Sequence, residues 1–130
     1  MHTAIYYLEK PVTRPEKEIA NLLTTLQSAI KTRNWEKLKE FYSLKASIEI
    51  NGRFINREQF IENIQKHINV IGVSIYKDVL IRIYGQNLAK VYYSLQLSSS
   101  IINTNKKIDN RIITLIKNGS WHIGEVRQIK

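Results

Sequence analysis

Hydrophobic positions along this chain recur first with the spacing of a helix and then, from about Val73 onward, with that of a strand. Ile19, Leu22, Leu23, Leu26 and Ile30 share one helical face. Thr13-Arg14-Pro15-Glu16 stands just before them and fits a capping box: the Thr13 hydroxyl accepts from the Glu16 amide, and Glu16 reaches back. Pro15 falls in the first turn, where its missing N–H costs nothing. Asn34 is placed to cap a short second helix in which Trp35, Leu38, Phe41 and Tyr42 share a side. Ala46, Ile48 and Ile50 then alternate with Ser47, Glu49 and Asn51, which predicts a half-buried strand ended by Asn51-Gly52. Asn56 followed by Gln59 opens a third helix, with Phe60, Ile61, Ile64 and Ile68 inward and Gly72 as its stop.

In the second half, Val73–Tyr84 and Leu88–Ser98 read as two long strands joined around Gly85-Gln86-Asn87. A polar loop at about 99–107 leads to Ile108–Lys117, the Asn118-Gly119 turn and Ser120–Ile129. Residues 1–14 show no helical period and read as an N-terminal arm, bracketed at its end by Pro11 and Pro15. The expectation is a single α+β domain over residues 15–130, with three N-terminal helices packed on a curved, mostly antiparallel sheet.

The Asn118-Gly119 turn also sets the faces of the last two strands. A two-residue type I′ loop would set Lys117 opposite Ser120 and Ile116 opposite Trp121. One face would then hold Ile108, Asn110, Ile112, Thr114, Ile116, Trp121, Ile123, Glu125 and Arg127, and the other Arg111, Ile113, Leu115, His122 and Val126. A slip of one residue would exchange these sets. The Trp121 side is expected to meet the helices, together with Ala89, Val91, Tyr93, Leu95 and Leu97. Tyr92, Ile113, Leu115 and Val126 would remain outside, and a surface that apolar suggests a homodimer through the outer sheet face.

Composition narrows the chemistry. There are no cysteines, so disulfides, thiolate metal sites and thiol nucleophiles are excluded. His2, His67 and His122 are scattered and imply no metal site, and no glycine-rich phosphate loop or nucleophile elbow is present; no cofactor is expected. The first ten residues carry no apolar core of a signal peptide, and no stretch reaches the roughly 18 apolar residues of a membrane span, so a cytoplasmic protein is expected. The net charge is +9, with ten basic and three acidic residues in 66–130 against ten and eight in 1–65. A basic sheet half could attract an anionic partner. The cations are mostly single, however, and no RNA-binding aromatic signature stands among them, which argues against nucleic acid and for a solvated surface.

The order of elements resembles the nuclear transport factor 2-like superfamily, the cone-shaped, cystatin-like fold shared with ketosteroid isomerases and polyketide cyclases. Four stretches carry the resemblance: Arg33-Asn34-Trp35 with Leu38 and Phe41-Tyr42; Ala46 to Gly52 before Arg57-Glu58-Gln59-Phe60; Asn87-Leu88-Ala89-Lys90-Val91; and Asn118-Gly119-Ser120-Trp121-His122-Ile123. It spans about residues 15–129 and implies a cone pocket with a small hydrophobic or anionic ligand. The isomerases' general-base aspartate falls where this chain has Ile50, which cannot take a proton. Within the expected cone, Tyr42, His67 and Tyr93 are candidate ligand contacts, with Asn110, Glu125 and Arg127 near its mouth. A small-molecule-binding protein is the first reading. The alternatives are an interaction module for a protein or anionic partner, and an enzyme of cyclase, dehydratase or isomerase type with Glu125 as base.

Overall fold

Each helix begins where its capping residues stand. In the computed structural model, which describes residues 2–69, 71–99 and 106–129, α1 (Arg14–Lys31) opens on a complete capping box. The Glu16 amide donates to Thr13 Oγ1 at 3.3 Å, and the Thr13 amide donates to Glu16 Oε1 at 2.8 Å. In α2 (Trp35–Glu40) the Lys37 amide donates to Asn34 Oδ1 at 3.2 Å. α3 (Arg57–His67) repeats the box with Asn56 and Gln59, at 2.8 and 3.0 Å. These local bonds satisfy amides that a helix start leaves free, so short polar motifs fix the boundaries.

Seven strands form one sheet among the described residues: β1 (His2–Tyr7), β2 (Tyr42–Ile50), β3 (Arg53–Ile55), β4 (Ile71–Tyr84), β5 (Leu88–Ser99), β6 (Lys106–Asn118) and β7 (Ser120–Ile129). Their spatial order is β1-β4-β5-β6-β7-β2-β3. The β4–β7 run is an antiparallel meander, while β1 joins β4 and β2 joins β7 in parallel. One face packs on the helices through Ile19, Leu23 and Leu26 of α1, Leu38 of α2, Ile61 of α3 and the inward rows of the strands. No helix among the described residues is long and apolar enough to cross a membrane.

Four local differences from the sequence pattern have identifiable causes. Residues 2–7 of the expected arm form β1, because Ile5 and Tyr7 pack against the core while Tyr6 points to solvent. That alternation is too short to stand out from sequence. Phe41 and Tyr42 do not extend α2. Tyr42 opens β2 opposite Ile123, and the Ile123 amide donates to the Phe41 carbonyl at 2.7 Å. Tyr42, Ala46 and Ile48 satisfy the strand period as well as Leu38 and Tyr42 satisfy the helical one, and pairing with β7 decides between them. Gly72 lies inside β4, after α3 has already ended at His67. The loop expected near 99–107 is shorter at its far end, where β6 starts at Lys106; residues 100–105 lie outside the described residues.

The last hairpin differs most. Only Gly119 of the Asn118-Gly119 pair has positive φ, at 78°, so the two-residue type I′ turn does not form. Asn51-Gly52, at 55° and 75°, is the turn with that geometry, and it sets Ile50 opposite Arg53. At the β6–β7 end, Asn118 faces Ser120, Lys117 faces Trp121 and Leu115 faces Ile123. The register then shifts at a bulge, so that Thr114 faces Glu125 and Ile113 faces Val126. The one-residue slip turns Asp109, Arg111, Ile113 and Leu115 inward, and Asn110, Ile112 and Ile116 outward. The bulge at Gly124 moves β7's inward positions from odd to even, leaving Glu125 and Arg127 outside and Val126 buried. Ile113, Leu115 and Val126 therefore belong to the core. Of the four residues expected to form a dimer face, only Tyr92 faces out.

Candidate functional site

Helices α1 and α3 stand away from the curved sheet and enclose a cavity of about 910 Å³. Leu23, Leu26 and Ile30 of α1 form one wall, Phe60 and Ile64 of α3 another, and Leu95, Leu97, Ile113 and Val126 the sheet side. Ile50 also lines it, so the position that would carry an isomerase base holds an aliphatic side chain. The walls are apolar because the helical stripes and the inward strand rows meet here without filling the space between them.

Arg111 stands in this apolar setting. Its Nη2 lies 3.4 Å from Asp109 Oδ2, with both side chains about nine-tenths buried, at 11% and 9% exposed. Asp109 Oδ1 accepts from Gln128 Nε2 at 2.9 Å, and Gln128 Oε1 accepts from the Asn51 amide at 2.6 Å. The guanidinium is thus held from behind by a line of polar contacts that runs back to the β2–β3 turn. The Tyr93 ring stacks on Tyr76 at 5.1 Å between centroids and 9° between planes, close enough to Arg111 for its charge to act on both phenols. Gln27 of α1 lines the same cavity. Tyr42 meets the Phe60 ring edge-on at 5.9 Å.

The three phenols stay protonated. Burial pushes Tyr42 up, and Tyr76 and Tyr93 nearby add to that; burial likewise raises Tyr76 and Tyr93, against the opposing pull of Arg111. Two further donors, Arg111 Nε and Gln27 Nε2, are buried with no hydrogen-bond partner. An unmet buried donor costs about 1–3 kcal/mol, so a group that accepts from it is bound with that penalty removed.

Of the residues singled out from sequence, the structure brings Tyr42, His67 and Tyr93 to the cavity. His67 is at its exposed rim, with Nδ1 2.8 Å from the Asn63 carbonyl. Asn110, Glu125 and Arg127 do not line it. Asn110 Oδ1 accepts from Ser94 Oγ at 2.6 Å on the outer face, and Glu125 and Arg127 face outward past the bulge. Arg111, Asp109, Gln128, Gln27 and Tyr76 were not found from sequence. For Gln128 the available signal was Gly124, an isolated glycine inside a strand pattern, which is the usual mark of a bulge. No group of histidines, aspartates and glutamates that could hold a metal occurs among the described residues.

No protein-family model and no curated protein matches this sequence. Solved structures do resemble the fold. A nuclear transport factor 2-like protein of unknown function from Shewanella oneidensis superposes with a TM-score of 0.72 at 15% identity, over 88% of this chain and 98% of that one. A nuclear transport factor 2-like protein from Cytophaga hutchinsonii gives 0.72 at 14%, over 90% and 98%. The association domain of C. elegans CaMKII gives 0.69 at 16%, over 89% and 95%. At such identities the likeness is one of architecture. Three helices on a seven-stranded, mostly antiparallel sheet, folded around one cavity, give this chain the cone-shaped α+β fold of the nuclear transport factor 2-like and cystatin-like proteins.

Proposed function

We propose that this protein binds a small molecule in the cone. One observation carries the reading: a cavity of about 910 Å³ with apolar walls that converge on a few buried polar groups. Among the described residues the cavity offers no free carboxylate. Glu62 at the rim pairs with Lys66 at 3.2 Å, and Asp109 is engaged by Arg111 and Gln128. That composition suits binding better than proton abstraction. Ile64 is half-buried and lines the mouth from α3, so Ile64→Trp should occlude it with little change in melting temperature. Ligand-detected NMR against small apolar compounds should find binders to the wild type and a loss of about tenfold or more in the variant. A wild type that binds none of them overturns the reading.

Self-association through the outer sheet face is the second element of the proposal, on different residues from those the sequence suggested. Tyr92 pairs across to Ile112 and Leu88 to Ile116, and Ile108 and Ile116 are 64% and 50% exposed, which makes an apolar band. Arg82, which would repel its symmetry mate, is bound by Glu9 at 3.0 and 3.2 Å. Both the apolar band and the CaMKII association domain's likeness favour a second copy of this chain as the occupant. A two-fold contact of about 800 Å² per partner would cover the band. Light scattering should give twice the chain mass, and Ile116→Glu should shift it to monomer. A wild-type monomer at high concentration refutes the dimer.

A further inference from the structure

The cavity's polar groups are unbalanced. Arg111 Nε and Gln27 Nε2 are buried donors with no acceptor, and the hydroxyls of Tyr42, Tyr76 and Tyr93 can donate as well. Among the described residues the charges lining it are Arg53, Lys66 and Arg111 against Glu62, which pairs with Lys66. Resting on the reading of the cone as a binding site, we propose that its ligand is a monocarboxylate on an apolar body, with the carboxylate accepting from Arg111 and Gln27. Both residues line the cavity together with the stacked Tyr93–Tyr76 pair.

The charge of the ligand follows from Asp109. It contacts Nη2 and offsets the guanidinium's charge, leaving the Nε–H side free for one more acceptor. A phosphate dianion would bring about two negative charges to a cation already paired, in a setting with little water to share them. A single carboxylate fits both the charge and the free edge. A neutral carbonyl would satisfy the donors but gain nothing from the basic lining. The apolar body is set by the remaining wall, where Leu26, Ile30, Phe60 and Leu95 offer no polar contact.

The test is calorimetry with three acid–amide pairs of equal shape: phenylbutanoate, naphthaleneacetate and decanoate, each with its primary amide. At least one acid should bind, and about tenfold or more tighter than its amide. Because Arg111→Met alone strands the Asp109 carboxylate, the variant of choice is Asp109→Asn with Arg111→Met. It should bring the acid and its amide to similar affinity, with the acid losing more than the amide. Gln27→Leu, which removes no charge, should weaken the acid more than the amide and serves if the double variant does not fold. Amides that bind as tightly as acids overturn the carboxylate assignment while sustaining the cavity reading, as does an acid unaffected by either variant. If no acid and no amide binds the wild type, the cavity reading itself fails.

Discussion

Asp109→Ala is expected to lower the melting temperature by about 10–20 °C, the largest effect of any single substitution in the cavity. The carboxylate neutralises Arg111 and holds Gln128, and Arg111 has no other carboxylate among the described residues. Removing it leaves a guanidinium about nine-tenths buried without a counter-charge, a change that costs about 3–5 kcal/mol. The cost is of stranding one partner, not of losing attraction. Removing both charges, as Asp109→Ala with Arg111→Met, should therefore recover most of the loss. Thermal denaturation of the two variants beside the wild type measures the difference. If Asp109→Ala melts within about 3 °C of the wild type, the guanidinium is reached by water and the floor of the cone is wet.

Alkaline pH is expected to unfold this protein more steeply than three exposed tyrosines would allow. Tyr42, Tyr76 and Tyr93 have folded-state pKa values raised by burial above the ordinary value of 10.0. Below pH 10 both folded and unfolded chains keep the phenolic protons, and their contribution to stability is complete. Above it the unfolded chain releases protons that the folded chain retains, so stability falls as pH rises toward the folded values. Each tyrosine adds about 1.4 kcal/mol per pH unit to that slope, and the three together about 4. Denaturant midpoints between pH 9 and 11.5 should show it, with Tyr42→Phe and Tyr93→Phe each flattening the decline by about a third. An unchanged slope in both variants would place the lability elsewhere.

The helices were legible in sequence because their signals are local. Thr13 with Glu16 and Asn56 with Gln59 act within one turn, and their residue types determine the bond. The inward row of β5, Ala89 to Leu97, was legible for a similar reason, being unbroken alternation. Within the site, Tyr42, His67 and Tyr93 were found because aromatic and imidazole tips at the edge of an apolar pattern stand out. Arg111 was not found, since its inward position depends on the register set by the β6–β7 turn, which no window of β6 contains. Two Asn-Gly pairs look alike in sequence, yet only Asn51-Gly52 has positive φ at both residues. Tyr76 was hidden by a second irregularity, between Lys77 and Leu80 in β4, where Asp78 takes a φ of 53°.

The bulge at Gly124 gives the cone a means of changing size without changing its chemistry. An extra residue bends the strand that carries it. Trp121 and Ile123 precede Gly124, Val126 and Gln128 follow it, and the pairing on both sides is regular. A chain lacking Gly124 would keep Leu115 opposite Ile123 and Thr114 opposite Glu125, with every inward side chain still inward. What it would lose is curvature, and with it the distance between the Arg111 guanidinium and the α1 wall. A Cβ at this position would come within 3.2 Å only of Ile116 Cδ1, the tip of an outward side chain, so the joint is not locked by the core. Removal of this one residue would act like a dial on a fixed instrument, changing the curvature of the cone while the side chains that line it stay the same.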